Sequence, residues 1–325
     1  MLLVWLAFNF SLVRYGVSQL HGQLTIVTHA RSVESVLSDT TVSDSLKMRL
    51  KFIQEVRQFA IDSLGLKDSK NYTSLYDQQG KPLLLVLTAS EPFQIKAYEW
   101  HFPFLGNVPY KGFFNFPNGR KEEAELKKKG LDTDLGPVSA WSTLGWFKDP
   151  ILSGMLKRSD GQLAELIIHE LTHSTIYIKD RVDFNENLAS FIGEQGAIRF
   201  LRSHYGGDTT LLVDYRDRLT DYNLFSKQMI HAASYLDSVY SAILGKSIAE
   251  KLRTKEVAMD AITHSVDTIS FHNPQRYKDL FKTRTPNNAY FLNYIRYDSQ
   301  KDSLKQVYET NYHSDLKFFL SELKK

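Results

Sequence analysis

Gln162-Leu163-Ala164-Glu165-Leu166-Ile167-Ile168-His169-Glu170-Leu171-Thr172-His173 is the stretch from which the fold can be read. Leu163, Ile167 and Leu171, flanked by Ala164, Leu166 and Ile168, give a wide apolar surface at helical spacing. Ser159, followed three residues later by Gln162, resembles a capping box and predicts a helix starting near Asp160. On that helix His169 and His173 project from one face, a turn apart. Two imidazoles so placed can grip one zinc ion, and Glu170 between them can reach water at the metal. The same spacing also suits two core histidines bonded to backbone carbonyls, so the next segment carries weight.

A catalytic zinc takes three protein ligands and keeps one position open. Asp183-Phe184-Asn185-Glu186-Asn187-Leu188-Ala189-Ser190 reads as the start of a second helix, with Asp183 as N-cap and Glu186 in the first turn. Ala189, Ser190, Gly193 and Ala197 line the Glu186 face, and small side chains there allow a close approach to the first helix. A glycine inside a helix costs about 1 kcal/mol against alanine, so Gly193 implies a packing requirement. His169, His173 and Glu186 are thus the candidate metal ligands. Ser190 is a candidate to orient a zinc histidine, or a helix-packing serine. Glu194 and Glu165 read as solvated carboxylates.

The pattern His-Glu-x-x-His followed by a helix opening Asn-Glu-x-x-Ala resembles the gluzincin metallopeptidases, which include thermolysin-like and aminopeptidase N-like enzymes. More closely, the chain resembles a bacterial family of predicted zinc aminopeptidases. The likeness rests on Trp100-His101-Phe102-Pro103 through Gly112-Phe113-Phe114, on Ala140-Trp141-Ser142-Thr143-Leu144-Gly145-Trp146-Phe147-Lys148-Asp149-Pro150, and on the two zinc-site stretches. It runs from about Tyr15, with Gln19 and Gly22-Gln23, to Asn287-Asn288-Ala289. Trp141 replaces the family's tyrosine, Thr172 and Ser174 stand where Ala and Gln are common, and the gap from His173 to Glu186 is shorter than in aminopeptidase N-like enzymes. None of these departures removes a ligand.

The resemblance implies an α+β, zincin-like metallopeptidase with a small mixed sheet and a mainly helical C-terminal part. It implies one zinc per chain on His169, His173 and Glu186. Zinc lowers the pKa of its bound water from about 16 towards about 7, and Glu170 acts as general base. Gluzincins commonly add a downstream tyrosine or histidine to carry the oxyanion. Tyr297, Tyr294 and Tyr290 are the candidates, with Tyr297 preferred, although most of the chain's 17 tyrosines must be core or surface aromatics. Pro137–Thr143 contains strand formers and predicts a strand ahead of the zinc helix, either the cleft edge that pairs with an extended peptide or an interior strand. Asp149 would cap a short helix from Pro150 to Leu156.

With 325 residues, 42% of them hydrophobic, the chain can bury a large core. A net charge of +3 with interspersed signs gives nucleic-acid binding no support. Lys127-Lys128-Lys129 follows Glu122, Glu123 and Glu125 on a solvated helix face. With no cysteine there is no disulfide, thiolate ligand or lipidated cysteine, which suits either side of a membrane. Residues 1–20 form an apolar, signal- or anchor-like segment centred on Leu2–Val13, which predicts possible membrane association and an extracytoplasmic place in a bacterial envelope. A buried N-terminal helix is the other reading. Residues 21–325 form the catalytic domain, sheet-bearing over about 21–178 and helical over about 179–325.

Elsewhere, Ser43–Leu66 reads as a helix with the stripe Leu46, Leu50, Ile53, Val56, Ala60 and Leu64, and Leu83–Leu87 as a buried strand. Further helices are expected over Leu211–Leu219, Asp221–Leu244, Ser247–His264 and Asp302–Leu323, with a break at Pro286-Asn287-Asn288. The expected activity is peptide-bond hydrolysis, as an aminopeptidase first and an endopeptidase second, with a silent zinc- and peptide-binding envelope protein as the third reading. The Gly-Ala-Met-Glu-Asn strand that binds the substrate ammonium in aminopeptidase N-like enzymes is missing. Glu99, Asp134 and Glu165 are its possible substitutes.

Overall fold

The computed structural model describes residues 10–102, 106–138, 148–207, 209–282 and 285–324. Helix α1 (Phe10–His29) leads through strand β1 (Arg31–Ser32) and helix α2 (Val33–Ser38) into helix α3 (Asp44–Asp62). Ser43 caps α3 by accepting from the Leu46 amide, and Leu50, Ile53, Val56 and Ala60 are buried as their spacing predicts. Strands β2 (Ser74–Tyr76), β3 (Leu85–Ser90), β4 (Trp100–Phe102), β5 (Gly106–Val108) and β6 (Lys111–Phe113) precede helix α4 (Phe116–Lys128) and strand β7 (Asp132–Pro137). Strand β8 (Ile151–Leu152) turns through a 3-10 segment, Ser153–Lys157, towards helices α5 (Asp160–Thr175) and α6 (Val182–Tyr205). Helices α7 (Thr210–Ala242), α8 (Ile248–Ser265), α9 (Asn288–Asp298), α10 (Lys301–Tyr312) and α11 (Leu316–Leu323) complete the chain.

This is an α+β protein with small sheets in a mainly helical chain. Strand β2 pairs antiparallel with β1 and parallel with β8, so that sheet is mixed. Strand β3 is the centre of an antiparallel sheet, with Leu87 opposite Lys111 of β6 and Leu135 of β7. Strands β4 and β5 form a separate hairpin.

The main hydrophobic cluster joins Leu50 and Ile53 of α3, Leu163, Ile167 and Leu171 of α5, Phe191 and Ile192 of α6, and Leu320 of α11. Each such side chain, fully buried, contributes about 1.5–3 kcal/mol. A second cluster packs Phe225, Met229 and Leu236 of α7 against Ala258 and Ile262 of α8 and Phe291 of α9.

Several boundaries differ from the sequence reading. Strand β3 starts later than Leu83, because its extent follows six-residue pairing with β7 and not the apolar run. The segment after Pro150 is a short strand and a 3-10 turn, since Leu75 and Tyr76 pair with Ile151 and Leu152. Leu211–Leu219 and Asp221–Leu244 belong to one helix, α7, and buried Asp221 does not break it: its carboxylate accepts from the His272 and Asn273 amides. Asp302–Leu323 is two helices, α10 and α11, separated at His313 and Ser314, both with positive φ. Arg181, not Asp183, is the N-cap residue of α6, and Asp183 lies in its first turn. Ser159 makes no capping bond to the backbone; its hydroxyl meets the Gln162 side chain instead.

The strand expected over Pro137–Thr143 meets β7 only at Pro137, and Ser139–Phe147, Trp141 included, lie outside the described residues. So do residues 1–9 of the apolar N-terminal segment. Beyond them α1 packs on the body: the Tyr15 hydroxyl donates to the Gly112 carbonyl at 2.9 Å, and Gly22 lies against the Phe114 ring, where a Cβ would come within 2.3 Å. Among the described residues, no helix is long and apolar enough to cross a membrane.

Candidate metal centre

The close packing of α5 on α6 builds the site. Its geometry depends on Gly193, where a Cβ would stand 2.9 Å from the Glu165 carbonyl oxygen, and on Gly196, where one would meet Ile168 at 2.9 Å. The connection between the helices is closed by Asn185, whose side chain accepts from the Ile178 amide (2.9 Å) and donates to the Ile178 carbonyl (2.7 Å). That clasp brings Glu186 back to the two histidines.

The Nε2 atoms of His169 and His173 lie 3.1 Å apart, and Glu186 Oε2 is 3.4 Å from the first and 3.3 Å from the second. With zinc–nitrogen bonds of about 2.0–2.1 Å, a tetrahedral site separates its donors by about 3.3 Å. The three donor atoms therefore have the spacing of one face of such a site. The donor set, two imidazoles and a carboxylate, also suits zinc. The residues fit a metal ion on geometry and on chemistry.

Electrostatics agree. Burial works against a charge on His173, but the Glu186 carboxylate outweighs it and pushes the imidazole pKa up. Burial raises Glu186 as well, yet the two imidazoles win and hold its carboxyl well below the usual range. A carboxylate that stays ionised while buried is a good cation ligand. The Nδ1 atom of His173 is buried without a hydrogen-bond partner, so the outer support common to zinc histidines is not supplied there among the described residues.

Glu170 is buried, and its Oε2 has no partner. Burial pushes its carboxyl pKa up, against the opposing pull of His169 and His173. Tyr297 lies beside the site, its ring centroid 6.4 Å from that of His169. Burial, then the Glu186 charge, pushes its phenol far above the ordinary value, so it stays a neutral donor. Tyr290 and Tyr294 bond to each other at 2.8 Å and pack in the second hydrophobic cluster. Of the three tyrosines, only Tyr297 is brought to the histidines.

The remaining sequence candidates are dispersed. Glu194 is buried and paired with Lys301, and Glu165 accepts from the Tyr215 hydroxyl at 3.0 Å, so neither is the solvated carboxylate expected. Ser190 is buried, and among the described residues no hydrogen bond joins it to either histidine. Asp134 meets Asn293 at 3.4 Å, and exposed Glu99 accepts from Asn107 at 3.0 Å.

Sequence reasoning missed three neighbours. Tyr110 has its phenol raised to about 12 by burial, with Glu186 and Glu170 adding, and the Arg296 guanidinium lies 5.1 Å from its ring centroid. Tyr72, in a left-handed conformation with φ 61°, is buried, and its pKa is raised by burial and then by Glu170 and Asp149. Asn187, next to Glu186, donates to the Arg296 carbonyl (2.6 Å) and accepts from the Gln300 amide (2.7 Å), fixing the end of α9 that carries Tyr297. Tyr110 falls within the Trp100–Phe114 stretch quoted above, which was the one available signal.

Tyr110 also lines a cavity of about 1490 Å³ between α1, the β4–β5 hairpin and the α5–α6 connection, with Gln19, Glu99, Val108, Tyr177 and Asp183 on its walls. None of His169, Glu170, His173, Glu186 and Tyr297 lines this cavity; Tyr110 is the lining residue whose phenol also feels the charges of Glu186 and Glu170.

The family described as "Putative aminopeptidase" matches residues 14–325. No curated protein and no solved structure matches the chain.

Proposed function

The chain belongs to the aminopeptidase family that matches residues 14–325, and on that premise we propose that it hydrolyses peptide bonds with a zinc ion held by His169, His173 and Glu186. The observation that carries this reading is the mutual spacing of the three donor atoms, 3.1, 3.3 and 3.4 Å. In the same reading α5 and α6 are the metal-binding core of a zincin of the gluzincin type.

A zinc ion there supplies Lewis acidity and a lowered pKa for water. Glu170 accepts the proton of the attacking water and returns it to the departing amine. Its burial suits this, since a base works best with a pKa near the operating pH. Tyr297, and Tyr110 from the cavity side, donate hydrogen bonds to the carbonyl oxygen as charge builds on it. Neither ionises near neutral pH, because burial pushes both phenols up. The cavity receives the peptide.

Endopeptidase action is the second reading. It is favoured by a cavity of about 1490 Å³, larger than the ~300–1,000 Å³ typical of small-ligand pockets. One experiment separates the readings: quantify zinc in the purified chain, then offer matched peptides with free and with acetylated N-termini. About one zinc per chain with trimming of free N-termini alone supports the aminopeptidase. Cleavage of both supports the endopeptidase. Zinc without cleavage makes this a binding protein, and absence of zinc binding overturns the ligand set.

A further inference from the structure

We propose that α1 docks the protein on an anionic lipid surface through an exposed apolar stripe. Val17, Leu20, Leu24 and Val27 are 62, 52, 45 and 37% exposed. At about 100° per residue they fall within an arc of roughly 80° on the helix. Isolated exposed apolar residues are ordinary, but four aligned on one helix face are not.

The same helix keeps other faces busy. Gln23 and Ile26 are buried, Gly22 touches Phe114, and Tyr15 bonds Gly112, so α1 is fixed to the body and the stripe is what it leaves outward. Exposed Arg14 and His21 lie on the solvent-facing flank of the stripe.

Charge and sequence continuity identify the occupant. The chain has no aspartate or glutamate before Glu34, whereas Arg14, Arg31, His21 and His29 fall in that stretch. The sequence before α1, Leu2-Leu3-Val4-Trp5-Leu6-Ala7-Phe8, is apolar and ends on an aromatic residue. An apolar face with a basic outer flank and no acidic residue is the composition of a helix lying in a membrane interface, whereas a water-soluble partner gives no reason to exclude acids.

The consequence concerns access. Tyr15, Gly16 and Gln19 of α1 line the same cavity as Tyr110. Docking through the stripe brings the α1 wall of that cavity next to the lipid surface, within reach of peptide segments lying at or emerging from the membrane.

The test is sedimentation of the full chain with phosphatidylcholine vesicles, with and without phosphatidylglycerol. It is compared with a Val17→Ser/Leu20→Ser/Leu24→Ser variant and with a Leu244→Ser/Ile248→Ser/Leu252→Ser control at exposed apolar positions remote in sequence from α1. All are checked for an unchanged thermal melt. The expected result is binding that needs phosphatidylglycerol, weakens with salt, falls about tenfold or more in the stripe variant and persists in the control. Equal binding by the stripe variant overturns the proposal, as does absence of vesicle binding by the wild type. If the wild type instead self-associates and the stripe variant is monomeric, the stripe covers a second copy and the lipid assignment falls. None of these outcomes depends on peptide hydrolysis.

Discussion

Gly193 of α6 lies against His169 of α5 so closely that a Cβ on it would come within 3.2 Å of the His169 Cβ. It would also stand 2.9 Å from the Glu165 carbonyl oxygen, a backbone atom that cannot swing away. Alanine at 193 would gain about 1 kcal/mol of helix propensity, but overpacking a filled interface costs about 1–3 kcal/mol. Gly193→Ala is therefore expected to lower the melting temperature and to weaken metal binding, and Gly193→Val to do so more strongly. Calorimetry and a zinc titration measure the two effects. A Gly193→Ala chain that melts higher and binds zinc as before would show that the close approach does not build the site.

Glu170→Gln keeps shape and burial but removes the base. Because Oε2 of Glu170 is buried without a partner, no hydrogen bond from that oxygen is lost. Hydrolysis is expected to fall by about 10²–10⁴, with zinc content and melting temperature unchanged. Loss of zinc along with activity would instead place Glu170 among the groups that hold the metal.

How much of this was legible in the sequence depends on the range of the interaction. Helices α3 and α5 follow from apolar spacing and a local Ser-based start, and the glycine at 193 announced a close contact without naming its partner. The convergence of His169, His173 and Glu186 needed only two adjacent helices. Glu194 was misjudged because its partner, Lys301, lies more than a hundred residues away, and no local pattern reports such a pairing. Tyr110 comes from the turn between β5 and β6 and Tyr72 from the irregular connection between α3 and β2, where period carries no information. The break at His313 and Ser314 has neither proline nor glycine to mark it.

Tyr297→Phe and Tyr110→Phe separate two donors to the same oxygen. Removing one oxyanion donor costs about 10²–10³ in kcat, while binding of the extended peptide is left largely intact. The expected pattern is a fall in kcat with KM little changed for Tyr297→Phe, and a smaller fall for Tyr110→Phe, a residue that also lines the cavity. Steady-state kinetics on one peptide checks both. If neither variant changes kcat, the oxyanion is carried by another group.

Glu194 gives the protein a measurable pH dependence remote from the metal ligands. Burial raises its carboxyl pKa from 4.5 to about 7, with Glu165 and Asp298 adding to the rise and Lys301 opposing it. Burial is the main cause, and Lys301 offsets it only in part because it serves two buried carboxylates, Glu194 and Asp298. Between about pH 4.5 and 7 the folded chain keeps a proton that the unfolded chain has released, and stability from this group therefore declines as pH rises. Its contribution is complete below about 4.5 and gone above about 7. Lys301 also pairs with Asp298 at 2.5 Å, and the Tyr222 and Ser226 hydroxyls bond Asp298, so a Glu194→Gln chain leaves Lys301 with a partner. That variant is expected to lose less melting temperature than the wild type between pH 5 and pH 8 and to be at least as stable at pH 8. Parallel melting curves across that range would show that Glu194 keeps an ordinary carboxyl pKa and that the Lys301 pair neutralises it fully.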